Sequence, residues 1–468
     1  MHDYPFNLDP SVTRRGYVWS FILVSFFGII FAFLPAGALV QKIVFSVVLL
    51  YIAGQQRFKI HFPKGIKSYF GVLTLLAIYS FISSYWLFGS LVIALLVAQK
   101  YIFLLFCLIA ACQICSVIKA QKNQIFLKRI VKFLIASQFI FVLIKFFILG
   151  KIDEGFLIGS MHHSAGQLGF LFPALMIPVV CILFYPRRLW LTLGLILLLV
   201  GFGVLNEKRS IIYLGIPIIF SCIYALSSKN LSLSSILKGS LLLMITIGML
   251  SFASNKIGSL SGTEAALSIA SENRITYLYS YAIEYLTMDY GGPLQGSELD
   301  ALSDTNVQIG RAIVWVKGTN FMFSSDTFNQ LFGYGFGYIT PSEYINASDT
   351  LFSRLGFRGA ISSAMEIFIE GGMVGLTLCS YLLIAPFFSL VSKRRRIRKE
   401  VGKGSLEYKN TSILIIILSI FMFDFYFYSN ILLSTLPMPL LLFIMIYTIY
   451  TPFKRALNDG TELKRIDE

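Results

Sequence analysis

Residues 91–117 read LVIALLVAQKYIFLLFCLIAACQICSV, a run of apolar side chains in which Lys100 is the only charged residue. A run of about 20 apolar residues is long enough to cross the roughly 30 Å hydrocarbon core of a bilayer as a helix. Similar runs recur along nearly the whole chain of 468 residues, of which 56% are hydrophobic and 13% are charged. Soluble domains do not reach this balance, so the composition predicts an all-α polytopic membrane protein.

Basic residues are distributed unevenly between the connections, and this predicts the side that each connection faces. The stretch SKRRRIRKEVGK at 392–403 is the densest, and the connections assigned to its side, with both termini, hold 27 of the 39 Lys and Arg residues. Cytoplasmic loops are enriched in these residues. The sequence therefore places both termini in the cytoplasm and attributes the net charge of +15 to sidedness and not to nucleic-acid binding. The twelve spans that satisfy every connection lie near 18–35, 38–54, 69–87, 91–117, 130–149, 166–186, 189–205, 210–227, 239–255, 361–390, 411–428 and 431–450.

One connection is much longer than the others and divides the chain into three parts. Residues 1–255 hold spans one to nine, residues 256–360 form a predicted outer, mainly helical domain, and residues 361–468 hold spans ten to twelve and a cytoplasmic tail. Within the outer domain, RITYLYSYAIEYL (274–286) and GRAIVWVKGTNFMF (310–323) carry apolar residues at helical spacing with Arg on the other face. This pattern predicts short amphipathic helices that lie over the membrane mouth.

Several cations lie at or inside the predicted spans, mostly toward the outer end. A charge in hydrocarbon costs several kcal/mol, so it persists where it reaches the interface, pairs or faces a polar cavity. Each lysine, considered alone, is expected to extend its ammonium group to the membrane interface. Arg209 differs, because it opens the eighth span after Glu207 and Lys208, and a guanidinium at a helix N-terminus suits phosphate oxygens. An ion pair between Glu207 and Arg209 is the alternative. These cations are Lys42, Lys100, Lys145, Lys151, Lys208 and Arg209.

The outer domain adds four arginines and leads into a pair of carboxylates. Arg354 and Arg358 are four residues apart, so they share one face of a helix leading into span ten. Glu366 and Glu370 repeat that spacing within the span, and Asp424 can join them. The charges predict either a structural salt-bridge network or a cationic pocket with an associated carboxylate. The four arginines are Arg274, Arg311, Arg354 and Arg358.

Metal-binding patterns are weak in this chain. His162 and His163 are adjacent and therefore point to different sides of a helix, which argues against a shared metal. Cys112 and Cys115 have metal or redox spacing, but inside an apolar helix without a second pair they indicate packing. Neither a metal nor a cofactor is expected.

Outer cations without metal-binding motifs suit one class of ligand. A polyprenyl pyrophosphate keeps its tail in lipid, and its two phosphates need compensating charge at the level of the headgroups. Arg and Lys can stabilise the charge on a departing pyrophosphate without a divalent ion. The sequence therefore predicts a lipid-linked sugar as the substrate.

Four segments resemble the O-antigen polymerase and O-antigen ligase superfamily. NEKRSIIYLG (206–215) resembles its polar-Arg element before the large outer loop, and residues 310–338 resemble its Arg-x-x-x-Trp segment with a Gly-x-Gly turn. SSAMEIFIEGGMVGLTL (362–378) is similar to the helix that ends the loop, with Glu370 opening a Glu-x-Gly-x-x-Gly-Leu pattern. GSMHHSAGQLGFLFPAL (159–175) resembles the shorter connection into span six. The segments occur in the expected order.

The resemblance implies a GT-C-like glycosyltransferase in the bacterial inner membrane. Its substrate would be an undecaprenyl-pyrophosphate-linked oligosaccharide, as donor and acceptor, in lipopolysaccharide biosynthesis. Membrane lipid and the chain-length regulator and flippase of the same pathway would be partners. Arg209 and Arg311 match the family's Arg positions, and Arg358 and Glu370 flank its final loop helix. Ligases carry a His about nine residues before the Glu, where this chain has Ile361, and this favours a Wzy-type polymerase.

The expected reaction is an inverting, metal-independent transfer in which a sugar hydroxyl displaces undecaprenyl pyrophosphate from another chain. The predicted pyrophosphate-binding residues are Arg209, Arg311, Arg358, Lys208, Lys100, Arg354 and Arg274. The predicted proton acceptors are Glu370, His162 and His163. A ligase that transfers the glycan to a lipid or protein acceptor is an alternative, and so is a transporter or flippase of lipid-linked sugars. The single large loop argues against the two repeated halves that transporters usually have.

Overall fold

The computed structural model describes residues 10–31, 37–55, 63–120, 124–147, 170–184, 188–205, 209–226, 311–339, 361–428 and 436–450. Within these ranges every regular element is helical, which confirms the predicted all-α class for this part of the chain. The α-helices are α1 (Pro10–Phe26), α2 (Gly37–Gln55), α3 (Lys67–Phe88), α4 (Leu91–Ala120), α5 (Gln124–Phe147), α6 (Phe172–Phe184), α7 (Leu189–Leu205), α8 (Arg209–Leu226), α9 (Arg311–Phe323), α10 (Thr327–Phe332), α11 (Ser363–Glu400), α12 (Leu406–Phe423) and α13 (Pro437–Tyr450).

Four helical segments are long and apolar enough to cross a membrane, namely Lys67–Phe88, Leu91–Ser116, Ser363–Glu400 and Leu406–Tyr428. Shorter apolar helices occupy most of the other predicted spans. Of the twelve predicted spans, eleven overlap a described helix, although α1 covers only the first half of the span near 18–35, and the span near 239–255 lies outside the described residues. The molecule is therefore compatible with a transmembrane protein, and the total of twelve crossings stays a prediction.

The two ends of the bundle differ in charge. Residues 393–403 form the last turns of α11 and the connection to α12, and Arg394 donates a hydrogen bond of 2.8 Å to the Tyr408 hydroxyl there. We call this the basic end. Glu366 and Glu370 lie in the first turns of α11, roughly 40 Å away along the helix. We call that the acidic end.

Contacts between helices fix their directions. Lys100, in the first third of α4, pairs with Glu366 at the acidic end, and Cys115, later in α4, contacts the Ile444 carbonyl of α13. Toward the basic end, the hydroxyl groups of Tyr69 and Tyr450 are 3.0 Å apart, at the start of α3 and the end of α13. Helix α3 therefore runs toward the acidic end, and α4 and α13 run away from it.

Helix α11 is interrupted near its start. Its first residue follows Ser362, whose hydroxyl accepts the Met365 N–H at 3.4 Å as an N-cap. Nine residues into the helix, Gly372 has φ +62° and ψ −163°, a non-helical conformation that side-chain-bearing residues rarely adopt. The interruption separates a short first segment, which carries both glutamates, from the long apolar segment that follows.

Residues 311–339 fold as a hairpin against this first segment of α11. Gly318 of α9 packs on Met365, and the rings of Phe323 and Phe368 are 6.2 Å apart, so α9 runs alongside α11 toward the interruption. Helix α10 then turns the chain, and residues 333–339 lead back toward the acidic end.

The hairpin contains one of the two helices predicted in the outer domain. The helix expected over 310–323 is present as α9, but it packs lengthwise against α11 instead of lying over the mouth of the bundle. The reason is its apolar face, because Val314 and Met322 are fully buried beside Met365 and Ile369. The companion helix expected at 274–286 lies outside the described residues.

Candidate functional site

The interruption of α11 leaves backbone carbonyl groups without their usual partners in the next helical turn. Residues of the hairpin supply the donors. Tyr334 N–H donates to the Ile369 carbonyl at 2.9 Å, and Gly335 N–H donates to the Glu370 carbonyl at 2.9 Å. The Tyr79 hydroxyl of α3 shares its single proton between the Gly371 carbonyl at 3.0 Å and the Phe332 carbonyl at 2.5 Å. Unpaired carbonyl groups in an apolar bundle are costly, so these bonds stabilise the broken helix.

Two glycines allow the hairpin and α11 to approach this closely. Gly333 and Gly372 face each other, both with positive φ. A Cβ atom on Gly333 would overlap the Glu370 carbonyl group, and one on Gly372 would overlap the Leu331 carbonyl group. Both positions therefore require glycine for backbone conformation and for space. The Gly-x-Gly turn and the Glu-x-Gly pattern that the sequence analysis singled out separately meet here.

Phe336 anchors the returning segment. Its side chain is fully buried, and its ring lies 5.3 Å from the Tyr79 ring and 5.1 Å from the Tyr101 ring, in edge-on geometry. Its backbone carbonyl accepts the Ser84 hydroxyl at 2.8 Å, and its N–H donates to the Ser83 hydroxyl at 3.4 Å. Helices α3 and α4 thus hold residues 333–339 through both apolar and polar contacts.

Glu370 is bound to this same segment. Its Oε1 atom accepts the backbone N–H of Ile339 at 3.0 Å, and the Gly337 N–H also bonds the carboxylate. The residue is only 3% exposed. In this arrangement Glu370 fixes the conformation of the returning segment, and its role as a proton acceptor stays a prediction.

Glu366 pairs with a cation from α4. Lys100 Nζ lies 2.6 Å from Glu366 Oε1, with the lysine side chain 22% exposed and the glutamate 2% exposed. The expectation that Lys100 reaches the interface on its own is therefore wrong. A buried carboxylate without a partner costs several kcal/mol, and the ion pair offsets part of that cost. The sequence predicted either a salt-bridge network or a cationic pocket. The contact between Lys100 and Glu366 is a salt bridge between a partly buried and a buried side chain.

Two more lysines lie toward the same end. Lys42 belongs to the face of α2 that also carries the buried residues Phe45 and Leu49, and its Nζ atom is 5.6 Å from the centre of the Phe103 ring. This is a cation–π contact inside the bundle. Lys42 is half-buried, and Lys145, near the end of α5, is buried. That these two lysines reach the membrane interface stays a prediction.

Two predicted arginines begin helices at the acidic end. Helix α8 starts at Arg209, and its late residue Cys222 contacts Cys181, a late residue of α6. Helix α6 starts at the acidic end, because the Phe170 ring, two residues before its start, lies 4.3 Å from the Tyr428 ring, five residues after the end of α12. Helices α6 and α8 are therefore parallel, and α8 also begins at the acidic end.

Arg311 is the first residue of α9, which runs from the acidic end toward the interruption of α11. The remaining predicted site residues lie outside the described residues. They are Lys208, Arg274, Arg354, Arg358, His162 and His163.

Asp424 marks the acidic end of α12. It is fully buried and begins a turn of π-helix, Asp424–Tyr428. Trp315 of α9 donates its indole N–H to the Tyr426 carbonyl in that turn at 2.9 Å. Wider helical turns leave carbonyl groups available to other donors, and they often occur at functional sites. Trp315 is the Trp of the Arg-x-x-x-Trp segment, and this contact ties α9 to α12.

The sequence analysis did not identify the residues of α3 that receive the hairpin. Tyr79, Ser80, Ser83 and Ser84 lie on one side of α3, and both Ser80 and Ser84 are fully buried. Polar residues three and four apart in an otherwise apolar helix share one face and indicate a packing surface. This spacing of polar residues could have identified the packing surface of α3 from the sequence.

The cysteines behave as structural residues. All six lie within described helices, are buried and form no disulfide. Cys112 and Cys115, which have metal-like spacing, are part of the packed core of α4. Among the residues that the structure describes, no group of three or more His, Cys, Asp and Glu is arranged to hold a metal ion.

No protein-family model matches the chain, and no curated protein matches it closely enough to count as a relative.

Proposed function

We propose that this protein is a glycosyltransferase of the bacterial inner membrane that polymerises undecaprenyl-pyrophosphate-linked oligosaccharide repeat units. The observation that supports the proposal is the gathering of cationic positions at the acidic end, where α8 and α9 begin at Arg209 and Arg311 and where Lys100 lies. A diphosphate at this end would meet arginines together with the N-termini of their helices. The acidic end would face outward, because the basic residues concentrate at the other end.

The proposed reaction joins two lipid-linked chains. The oxygen of an acceptor sugar hydroxyl bonds to the anomeric carbon of the donor chain, the bond from that carbon to the diphosphate oxygen breaks, and undecaprenyl pyrophosphate leaves. The hydroxyl proton passes to a base, for which His162 and His163 are the candidates. Arg209, Arg311 and Arg358 compensate the negative charge that grows on the leaving diphosphate. Attack opposite the leaving group inverts the anomeric configuration.

We assign the two carboxylates of α11 to positioning. Glu370 already accepts a backbone N–H and is almost inaccessible, so it holds the returning segment beside the substrate instead of taking a proton. Glu366 orients Lys100, whose partly exposed ammonium can add positive charge at the phosphate level. This division of roles follows from the exposure of each group.

The reaction can be tested with purified protein in lipid nanodiscs and synthetic lipid-linked repeat units, without added metal. A ladder of products with increasing numbers of repeats is expected. A single transfer to an added lipid-core acceptor would indicate the ligase instead. Movement of the intact lipid-linked sugar across vesicles without bond formation would indicate a transporter.

Arginine variants test the proposed phosphate site. Arg209→Ala and Arg311→Ala are each expected to abolish the ladder while the protein elutes as a folded monodisperse species. Arg→Lys at the same positions keeps the charge but loses the forked geometry, so partial activity is expected. Unchanged chain growth in both alanine variants would rule out their assigned role.

A further inference from the structure

Helix α10 carries an apolar face that the rest of the described chain does not cover. Phe328, Leu331 and Phe332 are spaced three and four residues apart, so they lie on one side of the helix. They are 67%, 44% and 40% exposed. Three large apolar side chains on one short helix are unfavourable in water, since burying each contributes about 1.5–3 kcal/mol.

The opposite side of α10 is polar. Asp326 caps the helix and accepts from the Asn329 backbone N–H at 2.9 Å and from its side-chain amide at 2.7 Å. Gln330 donates to the carbonyl groups of Phe323 and Ser325 at 3.2 and 2.8 Å, so the turn between α9 and α10 satisfies its own carbonyl groups. Helix α10 is therefore amphipathic, with one apolar and one polar side.

Contacts with α3 locate α10 relative to the membrane. The Phe332 carbonyl accepts the Tyr79 hydroxyl at 2.5 Å, and Tyr79 lies nine residues, about 14 Å, before the end of α3 at Phe88. At the same level of α3, Ile78 and Ile82 are more than half exposed. Helix α3 is one of the segments long and apolar enough to cross a membrane, so these side chains belong to its lipid-facing surface.

We propose that α10 is a membrane-embedded amphipathic helix whose apolar face, Phe328, Leu331 and Phe332, contacts the hydrocarbon of the bilayer leaflet at the acidic end. This face continues the lipid-facing surface of α3. Bilayer hydrocarbon would cover this face, because it contacts apolar side chains that lie at the same depth on adjacent helices. The proposal stands independently of the glycosyltransferase reaction.

Helix α10 is joined directly to the candidate functional site. Helix α10 ends at Phe332, and the next residue, Gly333, is the one that contacts the interruption of α11. The segment that Glu370 fixes is therefore attached directly to the helix that contacts the bilayer. This attachment would keep the site at the depth of a lipid-linked substrate.

Spin labels can test the position of α10 in reconstituted liposomes of phosphatidylethanolamine and phosphatidylglycerol. Single cysteines at Phe328→Cys and Leu331→Cys would carry the label, with Ile82→Cys as the lipid reference and Glu400→Cys, at the basic end, as the aqueous reference. All four positions are exposed, so the substitutions should not disturb folding, and the six native cysteines are buried. The unsubstituted protein controls for background labelling.

The measured quantity is the ratio of collision rates with oxygen, which concentrates in hydrocarbon, and with a water-soluble nickel chelate. The ratios at positions 328 and 331 are expected to match position 82 within about twofold and to exceed position 400 several-fold. Ratios equal to that at position 400 would place α10 in water and overturn the proposal. Protection from both reagents would show that protein covers the face, and would overturn it as well.

Discussion

Gly372→Ala should open the contact between the hairpin and α11. The native conformation at Gly372, φ +62° and ψ −163°, costs a residue with a Cβ atom about 1–3 kcal/mol. The added methyl group would also overlap the Leu331 carbonyl group, so the hairpin must move away. That movement breaks the bonds from Tyr334 and Gly335 to α11, each contributing about 1 kcal/mol. Together these effects predict a local destabilisation of about 3–5 kcal/mol.

Amide hydrogen exchange, followed by mass spectrometry on peptides covering residues 331–339, measures this opening directly. Each 1.4 kcal/mol corresponds to tenfold, so exchange in the variant should be faster by about a hundredfold to a few thousandfold. Gly71→Ala is the matched control, because a Cβ atom at Gly71 in α3 meets nothing within 4 Å. It should leave exchange in 331–339 unchanged. Exchange in Gly372→Ala within about threefold of the unsubstituted protein would refute the reasoning.

Three further predictions concern the same region, and each is measured by thermal unfolding in detergent. Lys100→Met leaves Glu366 buried without its cation and should destabilise the protein by about 3 kcal/mol. The double variant Lys100→Met with Glu366→Gln should recover most of that loss. Equal stability of the single and double variants would contradict the ion pair. Phe336→Ala removes a fully buried ring and should cost about 3–5 kcal/mol, and a loss below 1 kcal/mol would show that the ring is not an anchor. Trp315→Phe keeps the aromatic packing but loses the hydrogen bond to the Tyr426 carbonyl, so stability should fall by only about 1 kcal/mol. A larger loss of stability would mean that packing of the indole ring contributes more than its hydrogen bond.

The helical class and the positions of most helices could be predicted from the sequence. Apolar runs set the lengths of α3 and α4, whose described bounds differ from the predicted spans by at most three residues. The charge run at 392–403 likewise distinguished one end of the bundle from the other. These features are local, because the length of an apolar run and the clustering of basic residues do not depend on what the helices contact.

The partners of the charged residues could not be predicted in the same way. The sequence indicated that Glu366 and Glu370 had to meet compensating groups, but not which groups these were. Glu366 meets a lysine 266 positions earlier, and Glu370 meets backbone N–H groups of the returning segment. Adjacent turns of one helix thus give two carboxylates different roles.

The amino-acid sequence by itself determined that the chain is helical and apolar, where most of its helices lie, and that cations and carboxylates interrupt them. Only the tertiary structure decided that the Gly-x-Gly turn closes against the interruption of α11, with Tyr79 and Phe336 holding it in place. The physical reason is that a broken helix in an apolar bundle must find donors for its carbonyl groups, and no local pattern shows which distant segment supplies them.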